Sequence, residues 1–143
     1  MGETYELRVA RDCAAEPGVV FGAFFEMNAD TAASWVTETE RDLRVGGAWN
    51  LRFAPPGLAP FREERTLTEV DPPRRLAYTM RAIFGGAPDL TTTVAMTFET
   101  NGTGTRVTLA QQGFPTAEQR DDFTGGWTGV LDLLATRVAN GRP

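Results

Sequence analysis

Any chemistry in this chain has to be done without histidine and without lysine, since all fourteen basic residues are arginine. That excludes triads with an imidazole base, histidine metal sites, histidine proton shuttles and Schiff-base catalysis. Carboxylates, phenols, guanidinium groups and ordered water remain. Glu63-Glu64 and Asp121-Asp122 are adjacent pairs. A carboxylate dyad needs both groups on one face, whereas neighbours on a strand point to opposite faces and neighbours on a helix diverge by about 100°. Both pairs therefore read as solvated surface charge. Glu38, Glu40 and Asp42 alternate along a segment expected to be an edge strand, where charge discourages edge pairing. No aspartate run matches a calcium loop. The lone G-x-G of Gly102 and Gly104 joins two strands, whereas a phosphate loop leads from a strand into a helix. No catalytic residue, metal or cofactor is assigned.

Two kinds of side chain could still contact a ligand. Arg52, Arg62, Arg65 and Arg81 fall among the strands, and a guanidinium fork suits carboxylate or enolate oxygens. The ordinary expectation for each is an outward arginine paired with a surface glutamate. Tyr78 could hydrogen-bond a ligand oxygen or act as a weak acid, against the plainer expectation of a hydroxyl at the sheet edge. The aromatic residues Trp35, Trp49, Phe53, Tyr78, Phe84, Phe98, Phe123 and Trp127 occupy positions expected to face inward. With Met80 and Leu131 they form the candidate ligand-binding set, and the same residues would equally serve a solid core.

These side chains need elements to position them. The run from Phe114 to Val138 reads as a long amphipathic helix, with Thr116 and Gln119 as a capping box and Phe123, Trp127, Val130, Leu131, Leu134 and Val138 within an arc of about 100°. Gly125-Gly126 inside it costs about 1–2 kcal/mol, and Gly126 is expected to allow close approach to the sheet or to admit a ligand. Tyr5–Val9 alternates as a first strand, and Pro17 opens a short helix with Val20, Phe21, Phe24 and Met27 as its apolar stripe. A second helical turn is expected from Asp30 to near Trp35. Strands follow from Trp49, from Phe61 to Val70, from Leu76 to Phe84, through Thr92–Phe98, and, after the Asn101-Gly102 hairpin, through Thr105–Leu109. The result is an α+β chain in which a curved antiparallel sheet wraps around a long C-terminal helix, with two short helices near the N-terminus.

At 143 residues the chain is expected to form one domain, residues 1–143, large enough for a core or for a core with a cavity. A net charge of −5 without a basic run argues against nucleic acid and anionic membrane as partners. No secretory leader or long apolar span is present, so a cytoplasmic location is expected. The lone Cys13 is expected as a small, partly buried core residue, and Asn101-Gly102-Thr103 as turn chemistry.

Several segments together resemble a known superfamily. They are Val20-Phe21, Trp35, the run Asp42-Leu43-Arg44-Val45-Gly46-Gly47, the run Glu69-Val70-Asp71-Pro72-Pro73-Arg74-Arg75-Leu76, and Gly126-Trp127 with Leu131 and Leu134. In these the chain resembles the SRPBCC superfamily, the START or Bet v 1-like helix-grip fold, in the branch of the C-terminal domain of the Hsp90 ATPase activator. It departs from relatives at Val36 and Trp49, where other aromatic residues are common. The resemblance implies a helix-grip fold, in which many members enclose a cavity between the sheet and the last helix. The favoured expectation is binding of a small hydrophobic molecule, aromatic, polyketide-like or lipid-like, without catalysis. The alternatives are an enzyme resembling aromatase/cyclases, with Tyr78 and an inward arginine polarising a carbonyl, and a chaperone-associated interaction module. A homodimer or a protein partner is left open.

Overall fold

Alternation and turn chemistry give a seven-stranded antiparallel sheet. In the computed structural model, which describes residues 3–28, 35–85 and 89–139, strand β1 (Tyr5–Cys13) is followed by helix α1 (Pro17–Asn28). The strands β2 (Val36–Arg41), β3 (Trp49–Phe53), β4 (Phe61–Asp71), β5 (Arg75–Phe84), β6 (Leu90–Asn101) and β7 (Gly104–Phe114) come next, and helix α2 (Ala117–Ala139) closes the chain. The sheet order is β1-β7-β6-β5-β4-β3-β2, a meander whose end returns to pair with β1. This is the curved sheet and long closing helix of a Bet v 1-like helix grip. The helical turn expected over Asp30–Trp35 lies outside the described residues, apart from Trp35 itself. No helix among the described residues is long and apolar enough to cross a membrane.

The first strand runs four residues further than its clearest alternation, because Asp12 and Cys13 still pair with Arg106 and Thr105 of β7. Cys13 is buried there. In α1 the expected stripe of Val20, Phe21, Phe24 and Met27 is buried, joined by Ala23 and Phe25. Glu16 offers no side-chain cap, yet its carbonyl accepts from the amides of Val19 and Val20 and starts the helix.

Entry into β3 depends on Gly46 and Gly47. Gly46 has a φ of +84°, and its amide donates to the Leu67 carbonyl, while the Leu67 amide donates to the Gly47 carbonyl. A Cβ at Gly47 would lie 2.0 Å from the Asp42 carbonyl oxygen. The glycine pair thus folds the loop onto β4 and delivers Trp49 to the inner face.

Helix α2 packs along β1 and against α1 and β7. Its cap is half of the expected box: the Thr116 hydroxyl accepts from the Gln119 amide at 3.1 Å, but the Gln119 side chain turns to that hydroxyl instead of reaching back to the backbone. Trp127, Leu131, Leu134 and Val138 are buried, while Phe123 and Val130 are half-buried at the border of the stripe. Gly126 does not serve close packing. A Cβ at Gly125 or Gly126 would meet nothing within 4 Å, because both are exposed, off the buried stripe. Replacing either by alanine is therefore expected to stabilise the protein by about 0.5–1 kcal/mol, read as a rise in the urea midpoint at unchanged slope.

Candidate functional site

Strand register arranges the inner-face side chains in rows. At one end Phe53, Phe61 and Phe84 lie side by side on β3, β4 and β5, with ring centroids 5.0 and 5.2 Å apart and all three half-buried. The next row contains Leu51, Glu63, Ala82 and Leu90, and the one after it Arg65, Met80 and Thr92. Deeper still come Leu67, Tyr78, Val94 and Gln111, ending at Leu7 on β1. A half-exposed aromatic ladder therefore leads along the sheet to buried polar groups.

The polar groups form two clusters. In the first, Arg65 Nε and Nη2 both donate to Glu63 Oε1, at 3.0 and 2.6 Å. Both side chains are buried. The guanidinium carbon stands 4.2 Å from the centre of the Trp49 ring and 4.8 Å from that of Tyr78, and those two rings meet edge to face at 5.5 Å. Burial works against the Arg65 charge, but Tyr78 and then Glu63 outweigh it and raise its affinity for the proton. Arg65 Nη1 and Tyr78 Oη are both buried and have no hydrogen-bond partner among the described residues. In the second cluster Gln111 Nε2 donates to Thr92 Oγ1 at 2.8 Å, and Trp127 Nε1 donates to Gln111 Oε1 at 2.7 Å. That chain of bonds ties α2 to the middle of the sheet.

Three expectations are corrected here. Glu63 is not solvated charge: it shares the alternation phase of Phe61 and Leu67, which places it on the inner face. Arg65 is not an outward arginine for the same reason, whereas Arg52, Arg62 and Arg81 do pair with the surface glutamates Glu38 and Glu64. The Tyr78 hydroxyl does not reach the sheet edge, because β5 is a central strand and its ring lies under Trp49.

The candidate ligand set divides. Trp49, Tyr78, Met80, Phe98, Trp127 and Leu131 are buried in the interior, and Phe53 and Phe84 belong to the half-buried ladder. Phe123 packs on Phe114 at 5.3 Å and is also half-buried. Trp35 does not join them. It is 52% exposed, with a φ of +59° that few bulky residues adopt, and its carbonyl accepts from the Ala54 amide. Phe61, Thr92 and Gln111 were not among the candidates, and Glu63 and Arg65 were expected to face outward, although their alternation with apolar neighbours was a usable signal. Phe24 and Phe25 of α1 also reach the interior, 5.9 and 5.0 Å from Trp49. Two surface grooves, of about 370 and 260 Å³, lie instead on the outer face, one across β2, β3 and β4 and the other beside the Ala77, Thr79, Thr93 and Ala95 side chains.

The sequence that builds this sheet, site and closing helix also matches a known family. The model described as Activator of Hsp90 ATPase homolog 1-like protein matches residues 14–139. The chain belongs to that family. Among solved structures, protein CV1439 from Chromobacterium violaceum is 27% identical, with 92% of this chain and 94% of that one covered at a TM-score of 0.78. Protein Mll3558 from Rhizobium loti is 25% identical over 94% and 96% of the two chains, with a TM-score of 0.76. Ara h 8.0201, of the Bet v 1 family, superposes at a TM-score of 0.77 over 96% and 99% at 11% identity, which concerns the fold alone. A comparison with curated proteins finds no match.

Two measurements examine the cluster. Arg65→Met alone leaves Glu63 buried without its counter-charge and is expected to cost about 3–5 kcal/mol in urea denaturation, whereas Glu63→Leu with Arg65→Met is expected to be neutral or stabilising. Alkaline pH supplies the second. Burial foremost, with Glu63 adding and Arg65 opposing, raises the Tyr78 phenol, so the folded chain keeps a proton that the unfolded chain loses above about pH 10. Stability is intact below that pH and falls above it. Burial raises the Cys13 thiol in the same sense. Denaturation curves at pH 8 to 11 are expected to show declining stability, with a shallower decline for Tyr78→Phe.

Proposed function

We propose that this protein binds a small hydrophobic molecule, aromatic, polyketide-like or lipid-like, between the sheet and the helices, without chemical conversion, as a single-domain protein of the cytoplasm. The observation that carries this reading is the half-buried ladder of Phe53, Phe61 and Phe84, an apolar entrance that continues into Trp49 and Tyr78. Flat rings in offset contact readily admit another flat ring, and clusters of this kind line apolar ligand sites. The interior rings touch one another, so the ligand gains its place by displacing Phe24 and Phe25 of α1 instead of filling a large preformed void. Membership of a family built on a ligand-binding fold supports the same reading.

A conversion in which Tyr78 donates a proton is less well supported. Burial raises its phenol, which makes it a poorer acid while leaving it a good hydrogen-bond donor.

Native mass spectrometry of the full chain, purified without detergent, is expected to reveal a co-purified small molecule. Phe61→Ala is expected to weaken its retention about tenfold, since truncating a half-buried ring forfeits roughly 1–2 kcal/mol of contact. Recovery of the bare chain alone, together with no saturable uptake of naphthalene-type apolar probes, would overturn the proposal.

A further inference from the structure

The geometry points to a neutral carbonyl oxygen as the polar feature of the bound molecule, accepting hydrogen bonds from Arg65 Nη1 and Tyr78 Oη. This rests on the small-molecule reading and specifies the chemistry of its ligand. Both atoms are buried, both lack a partner among the described residues, and they belong to side chains in face contact, with the Arg65 guanidinium carbon 4.8 Å from the Tyr78 ring centre. Their residues are 3% and 1% exposed. A buried donor left unmatched is costly, so a fold that keeps two of them together presents a site for an acceptor.

The remaining contacts decide which acceptor. Arg65 Nε and Nη2 are already engaged by Glu63, so the guanidinium arrives neutralised, and Nη1 is its nitrogen without a partner among the described residues. A carboxylate entering this site would lie close to Glu63 in an apolar surround, with no uncommitted cation to offset its own desolvation. Arg52, Arg62 and Arg81 cannot supply one, because their side chains are half-exposed and pair with acids on the outer face. A ketone or quinone-type carbonyl carries no charge and offers two lone pairs to two donors. Trp49, which also packs on the guanidinium and meets Tyr78 edge to face, and Met80, next to Arg65 across the β4–β5 pair, provide apolar surface for the carbon skeleton.

The test uses the full chain and three probes of one shape: acetophenone, α-methylstyrene, in which a methylene replaces the carbonyl oxygen, and benzoate. Binding is followed by calorimetric titration. Acetophenone is expected to bind at least about tenfold more tightly than either of the others. Tyr78→Phe is expected to cut that preference severalfold, and Glu63→Leu with Arg65→Met to abolish it while α-methylstyrene still binds. Equal affinity for acetophenone and α-methylstyrene would overturn the carbonyl assignment and leave apolar binding standing. A preference for benzoate, or one that survives in both variants, would also overturn it. Binding of none of the three would count against the small-molecule reading and the assignment together.

Discussion

The arrangement inside the grip depends on one interaction, the Arg65 guanidinium packed against the Trp49 and Tyr78 rings and tied to Glu63. A charged group in such a place is stable only if its counter-charge and its packing are both in position, because the Coulombic gain barely exceeds the desolvation cost. Each neighbour is therefore constrained. Glu63 must lie two residues along the same strand, Trp49 must come from the adjacent strand, and Tyr78 from the strand on the far side. The glycine loop that pins β3 to Leu67 and the α1 phenylalanines that back Trp49 complete the frame.

The many ion pairs of the outer face stand in contrast. Arg52, Arg74, Arg75 and Arg106 meet acids across strands or turns, and Arg62 meets Glu64 along β4, with side chains about half-exposed or more. Pairs of this kind contribute a few tenths of a kcal/mol and are screened by salt. They keep the surface soluble and the edge strand β2 charged. Among the described residues, the interior pair of Glu63 and Arg65 has far larger consequences if it is broken, and it lies beside unmatched donors.

The second polar cluster gives α2 a role beyond covering apolar surface. Trp127 is both a core ring and a donor to Gln111, and Gln111 in turn donates to Thr92. Apolar packing alone would let a helix slide over the sheet. A directional bond from its indole to a central strand sets where the helix rests. The open glycines at 125 and 126 leave the opposite face of that turn bare, so it is the Trp127 side that fixes the helix.

Much of the fold was legible in the residues. Alternation in Leu76–Phe84 and Thr92–Phe98, the Asn101-Gly102 hairpin, Pro17 at a helix start and the stripe of α2 all describe local periodicity, and local periodicity is a property of the chain itself. The inward placement of Trp49, Tyr78, Phe98 and Trp127 followed from the same signal. Glu63 and Arg65 were misjudged because residue type was allowed to overrule phase: charge usually means solvent, and here the phase with Phe61 and Leu67 was correct. Trp35 was misjudged in the opposite way, since its apolar character says nothing of a backbone turned to positive φ beside β2. By itself, then, the sequence determined the strand and helix types, the absence of imidazole and ammonium chemistry, and the identity of most inward residues. Only the tertiary structure decided that Glu63 and Arg65 meet beside Trp49 and Tyr78, because that meeting depends on pairing three strands in register, and the cost of burying charge is set by what the neighbouring strands bring.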